Sequence, residues 1–340
     1  DPTSVKDNMT FGYVPDPRTI FKSVYKLPPG HFIHLRHGAD SIAPAKYWDI
    51  RVAEAGEMKD VSDICVQVYG RFNKAVDKRL VADVPLGAFL SGGVDSSAVV
   101  TAMSEISDDP VRTCSISFGD PAFNEAAYAN AVAERLQTTH HVEQVDPNDF
   151  DLIDKIIDLY DEPFADSSAI PTYRVCQLAR RHVTVALSGD GGDEMFAGYR
   201  RYRWHMNEES VRARIPRAVR KGIFGAAGSL YPKMDWAPRI FRAKSTLQAI
   251  ARDSADAYLH SVSILPNDLH NRLFSSEFEA SLEGYDSSQV FDEHLKSCDS
   301  DDPLSMVQYL DMKTYLPGDI LTKVDRASMA HSLEVRVPIL

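Results

Sequence analysis

Pro85-Leu86-Gly87-Ala88-Phe89-Leu90-Ser91-Gly92-Gly93-Val94-Asp95-Ser96-Ser97 is the stretch on which the fold turns. Pro85 to Leu90 is a short apolar run of strand length, and it feeds a glycine turn followed by a helical pattern over about 95 to 106. Strand, glycine turn and helix make the unit from which parallel sheets are built. The alternation continues with a strand at 112 to 118, a helix at 124 to 137 and a strand at 140 to 145. Helices at 149 to 160 and 171 to 182 and a strand at 183 to 188 complete it. Upstream, Val61, Ile64, Val68, Phe72 and Val76 recur at helical spacing, so an amphipathic helix is expected over about 58 to 80. The expected fold is α/β, a parallel twisted sheet with helices on both faces. Ligands of such sheets bind beyond the carboxyl ends of the strands, which directs attention to the loops after Leu90, Phe118 and Leu187.

The first of these loops suits an anion. Gly92 and Gly93 place no side chain between a ligand and the backbone N–H groups, and the helix behind them turns its positive end to the same spot. No Gly-Lys-Ser/Thr follows, so this is not a Walker A loop with a lysine for a γ-phosphate. Ser91, Ser96 and Ser97 supply hydroxyl donors, and Asp95 at the rim is placed to hold Mg2+ against phosphate oxygens. The plainer alternative is a helix capped by Asp95 or Ser96 after a tight turn. A second apolar run, Val185-Ala186-Leu187, ends in Ser188-Gly189-Asp190-Gly191-Gly192-Asp193-Glu194, with three acids within five residues. Like charges so close repel unless a cation relieves them, so a metal or a cationic substrate is implied, against the alternative of a solvent-exposed acidic turn. Asp95 and Asp193, at the ends of two parallel strands, make a Mg2+ clamp for a pyrophosphate leaving group if the two turns lie side by side.

The rest of the chain sets bounds. At 340 residues and 44% hydrophobic content it has material for about two domains and a core that needs no staples. A net charge of −12 disfavours a dedicated nucleic-acid binder. Residues 200 to 244 nevertheless carry 12 Lys+Arg against three Asp+Glu, a local +9 against −21 elsewhere, read first as a solvated helical face. Cys65, Cys114, Cys176 and Cys298 are too far apart for a disulfide framework or a zinc site, which fits a reducing compartment. No apolar run approaches the ~20 residues of a membrane span, and Asp1 to Thr10 lacks a signal-peptide layout, so the cytoplasm is expected. Residues 11 to 50 read as short strands or extended segments. Leu304, Val307 and Leu310 mark a helix that Pro317-Gly318 should break, and Ile320, Val324 and Ala327 start another that ends before an extended Val335-Arg336-Val337-Pro338. His31, His34 and His37 recur every third residue, which does not put them on one strand face for a metal.

Ser91-Gly92-Gly93-Val94-Asp95-Ser96 resembles the pyrophosphate loop of the ATP-pyrophosphatase superfamily. Asp161 to Ser168, Ser188 to Tyr199, and Leu321-Thr322-Lys323-Val324-Asp325-Arg326-Ala327-Ser328-Met329 running to Glu334-Val335-Arg336-Val337-Pro338 extend the likeness. With them the chain resembles the glutamine-hydrolysing asparagine synthetases over nearly its full length. The resemblance implies an ATP-pyrophosphatase-type sheet with a short N-terminal β remnant and a helical C-terminal part. Residues 1–55 would be the tail of a glutaminase-like domain and 56–340 an ATP-dependent synthetase domain, incomplete at its C-terminus. It implies adenylation of the aspartate β-carboxylate by Mg·ATP, release of pyrophosphate, and attack of ammonia, drawn from glutamine in the full-length enzyme.

Position by position, the resemblance gives Leu90, Ser91, Gly92, Gly93, Asp95 and Ser96 to ATP, and Ser117 and Phe118 to adenine through backbone groups. Ser188 and Gly189 would meet the nucleotide and the acyl-adenylate. Asp190 and Asp193 would be catalytic, Asp95 and Asp193 would bind Mg2+, and Asp166, Ser167, Asp190 and Arg336 would meet the substrate. The implied partners are aspartate, ATP and ammonia or glutamine, with no membrane and no nucleic acid, and a homodimer left open. Relatives that adenylate another carboxylate, such as β-lactam synthetases, peptide cyclases or exopolysaccharide-associated amidotransferases, share the ATP loops, and a non-catalytic nucleotide-binding module is the third alternative. Two departures stand out. Residue 1 is Asp where the family's glutaminase has a nucleophilic Cys, and the family pattern continues past Leu340 into a lysine-bearing segment, so the chain is expected to be a fragment of a longer enzyme. Lys323, Asp325, Glu334 and Arg336 either line the substrate pocket or form a buried ion network, the latter being favoured; Asp166 and Ser167 line the pocket or cap their loop.

Overall fold

The apolar run ahead of the first glycine turn is β1 (Leu86–Phe89). It shares one sheet with β2 (Arg112–Phe118), β3 (Thr139–Val145), β4 (Val185–Leu187) and β5 (Glu334–Arg336). The order across the sheet is β3-β2-β1-β4-β5, and each neighbouring pair is parallel. The chain therefore runs outward from β1 to β3 and returns to the far side of β1 as β4, which makes the β1/β4 junction the point where the strand order reverses. In open α/β sheets the crevice beyond the carboxyl ends at that junction is the ligand site. Gly87 on β1 pairs with Ala186 on β4, and Ala88 with Leu187, so the loops that follow leave the sheet as neighbours.

This computed structural model describes residues 1–38, 43–52, 60–119, 124–146, 152–232, 244–265 and 267–340. The chain divides into two units, Asp1–Glu54 with Ala197–Gly318, and Ala55–Phe196 with Asp319–Leu340.

The sheet belongs to the second unit, with α1 (Val61–Arg79), α2 (Val94–Ile106), α3 (Ala126–Arg135), α4 (Ile153–Tyr160), α5 (Ala169–Arg180), α6 (Gly192–Phe196) and α7 (Thr322–Met329). Helices cover both faces. Ala88, Leu90 and Leu187 pack with Val76 of α1, Val99, Val100 and Met103 of α2, and Ala129 and Ala133 of α3. Cys114 and Ala186 pack with Cys176 and Ala179 of α5 and Ala327 of α7. The three residues of β4 are all buried, as expected of a central strand covered on both sides. Full burial of Leu187 contributes about 1.5–3 kcal/mol. The expected helices at 124 to 137 and 149 to 160 are present as α3 and α4; residues 120–123 and 147–151 lie outside the described residues.

In the first unit, a helix Pro2–Phe11 appears that the periodicity had not marked. Asp1 accepts from the Thr3 N–H at 3.0 Å as its N-cap, proline occupies the first turn, and Gly12 ends it at φ 88°. Within residues 11 to 50, read as short strands or extended segments, His31–Phe32 and Ala45–Lys46 form a short antiparallel pair. The basic stretch is helical at Arg200–Arg212 and Arg217–Leu230, but three of its arginines do not belong to a solvated face. Arg201 donates to Asp311, which also accepts from the hydroxyls of Tyr202 and Tyr258. Arg212 reaches the Ala249 carbonyl, and Arg220 the carbonyls of Ile250 and Arg252. Their fork of donors caps exposed carbonyl ends of a neighbouring helix, so these charges serve the interior.

Pro317-Gly318 does not break the chain into two helices. Helix Pro303–Lys313 leads into a π-helical turn over Leu316–Leu321, which runs directly into α7. The helical bond from Gly318 N–H to the Thr314 carbonyl persists at 2.9 Å, and Gly318 lies flat against the ring of Tyr13. Among the described residues, no helix is long and apolar enough to cross a membrane.

Candidate active site

The first loop is held in shape by its own hydroxyls. Ser91 N–H donates to Ser96 Oγ at 3.2 Å, the two seryl oxygens are 2.9 Å apart, and Gly93 N–H donates to Ser91 Oγ at 3.2 Å. Gly92 sits at φ 82°, and an added Cβ would lie 2.6 Å from the Ala129 nitrogen at the start of α3. Only glycine satisfies both demands. Helix α2 begins at Gly93 with no side-chain cap, so neither Asp95 nor Ser96 fills its first-turn amides, which point where an anion would sit.

The second loop lies against the first. A Cβ on Gly189 would come 2.7 Å from the Ser96 nitrogen and 2.9 Å from the Asp95 carbonyl carbon, and one on Gly192 would come 2.4 Å from Asp95 Cγ. The glycines thus let the backbone of the second loop bed on the carboxylate of the first. Burial raises the Asp95 carboxyl above its ordinary range, and the charges of Asp193 and then Asp190 raise it further. Burial also raises Asp190, opposed by a 2.6 Å hydrogen bond from Ser188 Oγ and by the charge of Lys323. Among the described residues, no group of three or more His, Cys, Asp or Glu side chains is arranged to hold a metal alone. The mutual repulsion of Asp95, Asp193 and Asp190 fits a Mg2+ ion that takes one or two carboxylates and completes its shell with phosphate and water.

A cavity of about 280 Å3 opens beside these loops. Leu90, Ser91, Phe118, Ser188 and Asp190 line it, as do the apolar Phe89, Ile116 and Val175. Ser117 is not among the lining residues. Cys114 is, but burial pushes its thiol up to about 12, far from a nucleophile. Lys323 and Glu125 also line the cavity; Glu125 carried no signal in the sequence, and Lys323 comes from a segment 157 residues beyond Asp166.

The remaining sequence-marked residues fall as follows. Asp166 caps its loop by accepting from Ser168 N–H at 2.7 Å, and its other oxygen accepts from Lys323 Nζ at 2.5 Å. Burial opposes ionisation of Asp166, but the Lys323 ammonium prevails and brings it down to about 2. Lys323 therefore belongs to a buried ion network and to the cavity wall at once. Ser167 is exposed. Arg336 is not brought to the cavity lining. Its guanidinium donates to Glu334 at 2.6 Å and to the carbonyls of Arg79 and Val81, both at 2.8 Å.

Residues 67–340 match the family described as asparagine synthase. The chain belongs to the asparagine synthase family. It is 31% identical over 345 residues to asparagine synthetase (glutamine-hydrolyzing) 1 of Bacillus subtilis, an alignment covering all of this chain and 51% of that protein. A putative asparagine synthetase (glutamine-hydrolyzing) of Mycobacterium bovis is 31% identical over 96% of the chain and 49% of its own length. Amidase chry2 of Gibberella zeae is more distant, 26% identical over 99% of the chain and 55% of its length. The chain thus spans about half the length of the curated relatives it matches. Both glycine loops and Lys323 lie inside the stretch matched to the asparagine synthase family.

Proposed function

We propose that the protein is an AMP-forming amide ligase that activates the β-carboxylate of aspartate with Mg·ATP and transfers ammonia to it. The observation that carries this reading is the contact of the two glycine loops at the β1/β4 junction, where Gly189 and Gly192 bed on Asp95. Membership of the asparagine synthase family supports the choice of acid.

In this reading the open amides of α2 and the hydroxyls of Ser91 and Ser96 receive the triphosphate. Asp95 and Asp193 hold Mg2+, which when bound supplies charge neutralisation for the leaving pyrophosphate. A β-carboxylate oxygen attacks the α-phosphorus, the bond to the bridging oxygen breaks, and pyrophosphate departs with the electron pair. Ammonia then attacks the acyl carbon, the C–O bond to AMP breaks, and the surplus proton passes to a base. Asp190, raised by burial and lining the cavity, is suited to take that proton. Little covalent work falls to the protein; alignment and charge compensation suffice.

The test is exchange of labelled pyrophosphate into ATP, with and without aspartate, followed by asparagine formation on adding ammonium. Aspartate-dependent exchange is expected. Exchange that requires a different carboxylic acid would move the protein to another acyl substrate, and nucleotide binding without any exchange would overturn the ligase reading.

A further inference from the structure

The lining of the cavity carries more negative than positive charge. Asp190 and Glu125 line it, and Lys323 is the one cation among its described lining residues. Among the described side chains of the lining, an acyl substrate that enters as a carboxylate therefore meets a single positive group. Lys323 is 8% exposed, and two of its three ammonium protons are committed, to Asp166 Oδ2 at 2.5 Å and to Ser168 Oγ at 2.8 Å. Asp319 Oδ1 is 3.9 Å away, beyond hydrogen-bond range. Ser168 in turn donates to Asp166, so the three groups close a ring that fixes the ammonium on the cavity wall.

Resting on the ligase reading, we propose that the third N–H of Lys323 binds the carboxylate of the acyl substrate, and that Asp166 and Ser168 are positioning residues that hold it there. A neutralised ammonium suits this task. Unpaired, it would bind phosphate oxygens anywhere in the site; locked to Asp166 and Ser168, it offers one proton in one direction. The low position of the Asp166 carboxyl keeps that partner charged throughout the physiological range.

The test uses the whole protein and three readouts: KM for aspartate and KM for ATP in the exchange reaction, and affinity for a non-hydrolysable ATP analogue. Lys323→Met should raise the KM for aspartate about 10- to 100-fold, the worth of a charge-assisted hydrogen bond, while affinity for the analogue stays within about twofold. Removing Lys323 alone strands the buried Asp166 charge, so the double variant Lys323→Met/Asp166→Asn is the companion, expected to restore thermal stability but not the KM. Lys323→Arg should recover part of the KM, since it keeps the charge and alters the geometry. A double variant that folds and keeps the wild-type KM for aspartate overturns the assignment of Lys323 while leaving the ligase reading intact. So does a parallel rise for the ATP analogue. Absence of exchange in the wild type removes the ligase reading itself, and this inference with it.

Discussion

Gly189 has no room for a methyl group: the nearest atoms to its missing Cβ are backbone atoms of Ser96 and Asp95, which cannot step aside as a side-chain tip would. Gly189→Ala is therefore expected to prise the two loops apart, costing about 1–3 kcal/mol of stability and most of the pyrophosphate exchange. Calorimetry and exchange assays on that variant decide the matter, and unchanged values in both would remove the loop contact from the account. Asp95→Asn and Asp193→Asn address charge rather than shape. Because burial and neighbouring acids already raise Asp95, neutralising it relieves repulsion, so the fold should hold or gain slightly while Mg2+-dependent exchange is abolished. Retained exchange in either variant would dissolve the metal clamp. These residues were legible beforehand because a glycine pair after an apolar strand has few other uses. The pairing of Lys323 with Asp166 was not: the sequence marked each separately as a pocket or network residue, but their meeting depends on a return of the chain 157 residues later that no local pattern encodes.

At the scale of elements, the turn over Leu316–Leu321 shows how a packing contact overrides a local rule. Pro317 lacks an N–H and Gly318 is a poor helix former, so the pair reads as a stop. Yet the loss at proline is limited to one bond, and a side chain at 318 would strike the Tyr13 ring, whose carbons lie 2.4 and 2.5 Å from the missing Cβ. Tyr13 is itself fixed, 4% exposed and against the rings of Phe11 and Tyr315 at 5.8 and 6.5 Å. Helix propensity alone would make Gly318→Ala stabilising by about 1 kcal/mol. Overpacking against a buried aromatic ring costs about 1–3 kcal/mol and should win, so the variant is expected to melt earlier; a higher melting temperature would show that the ring yields. The central strands β1 and β4, by contrast, were readable almost to the residue, because a strand covered on both faces is an uninterrupted apolar run. The helix Pro2–Phe11 was missed although its signals, an Asp cap and a following proline, were present; its apolar positions show no helical stripe.

Across the whole molecule, the chain is acidic and carries eleven histidines, several of which the structure withdraws from water. His205 is the clearest case. Its side chain is 1% exposed, its Nε2 lies 3.1 Å from Ser254 Oγ and 3.5 Å from a Glu209 oxygen, and its ring meets Tyr258 edge-on at 5.5 Å. Burial first, and the charge of Arg212 second, push it down to about 4. His294, half-buried and under the charge of Lys313, is likewise pushed to about 4. Above pH ~6.5 each of these rings is neutral in both the folded and the unfolded chain, and stability does not depend on them. Between ~6.5 and about 4 the unfolded chain binds protons that the folded chain refuses, so stability falls as pH falls through that window and levels off below it. Each ring contributes at most roughly 3 kcal/mol to that loss. Burial raises the carboxyls of Asp7 and Glu208, which act in the opposite sense nearer their own range, so the total profile mixes signs. The difference between wild type and His205→Gln isolates one ring: the variant should lose less stability than wild type between pH 7 and 4.5, whatever its absolute stability at neutral pH. Parallel curves in denaturant titrations across that window would mean that His205 takes up its proton in the folded state as readily as in the unfolded chain.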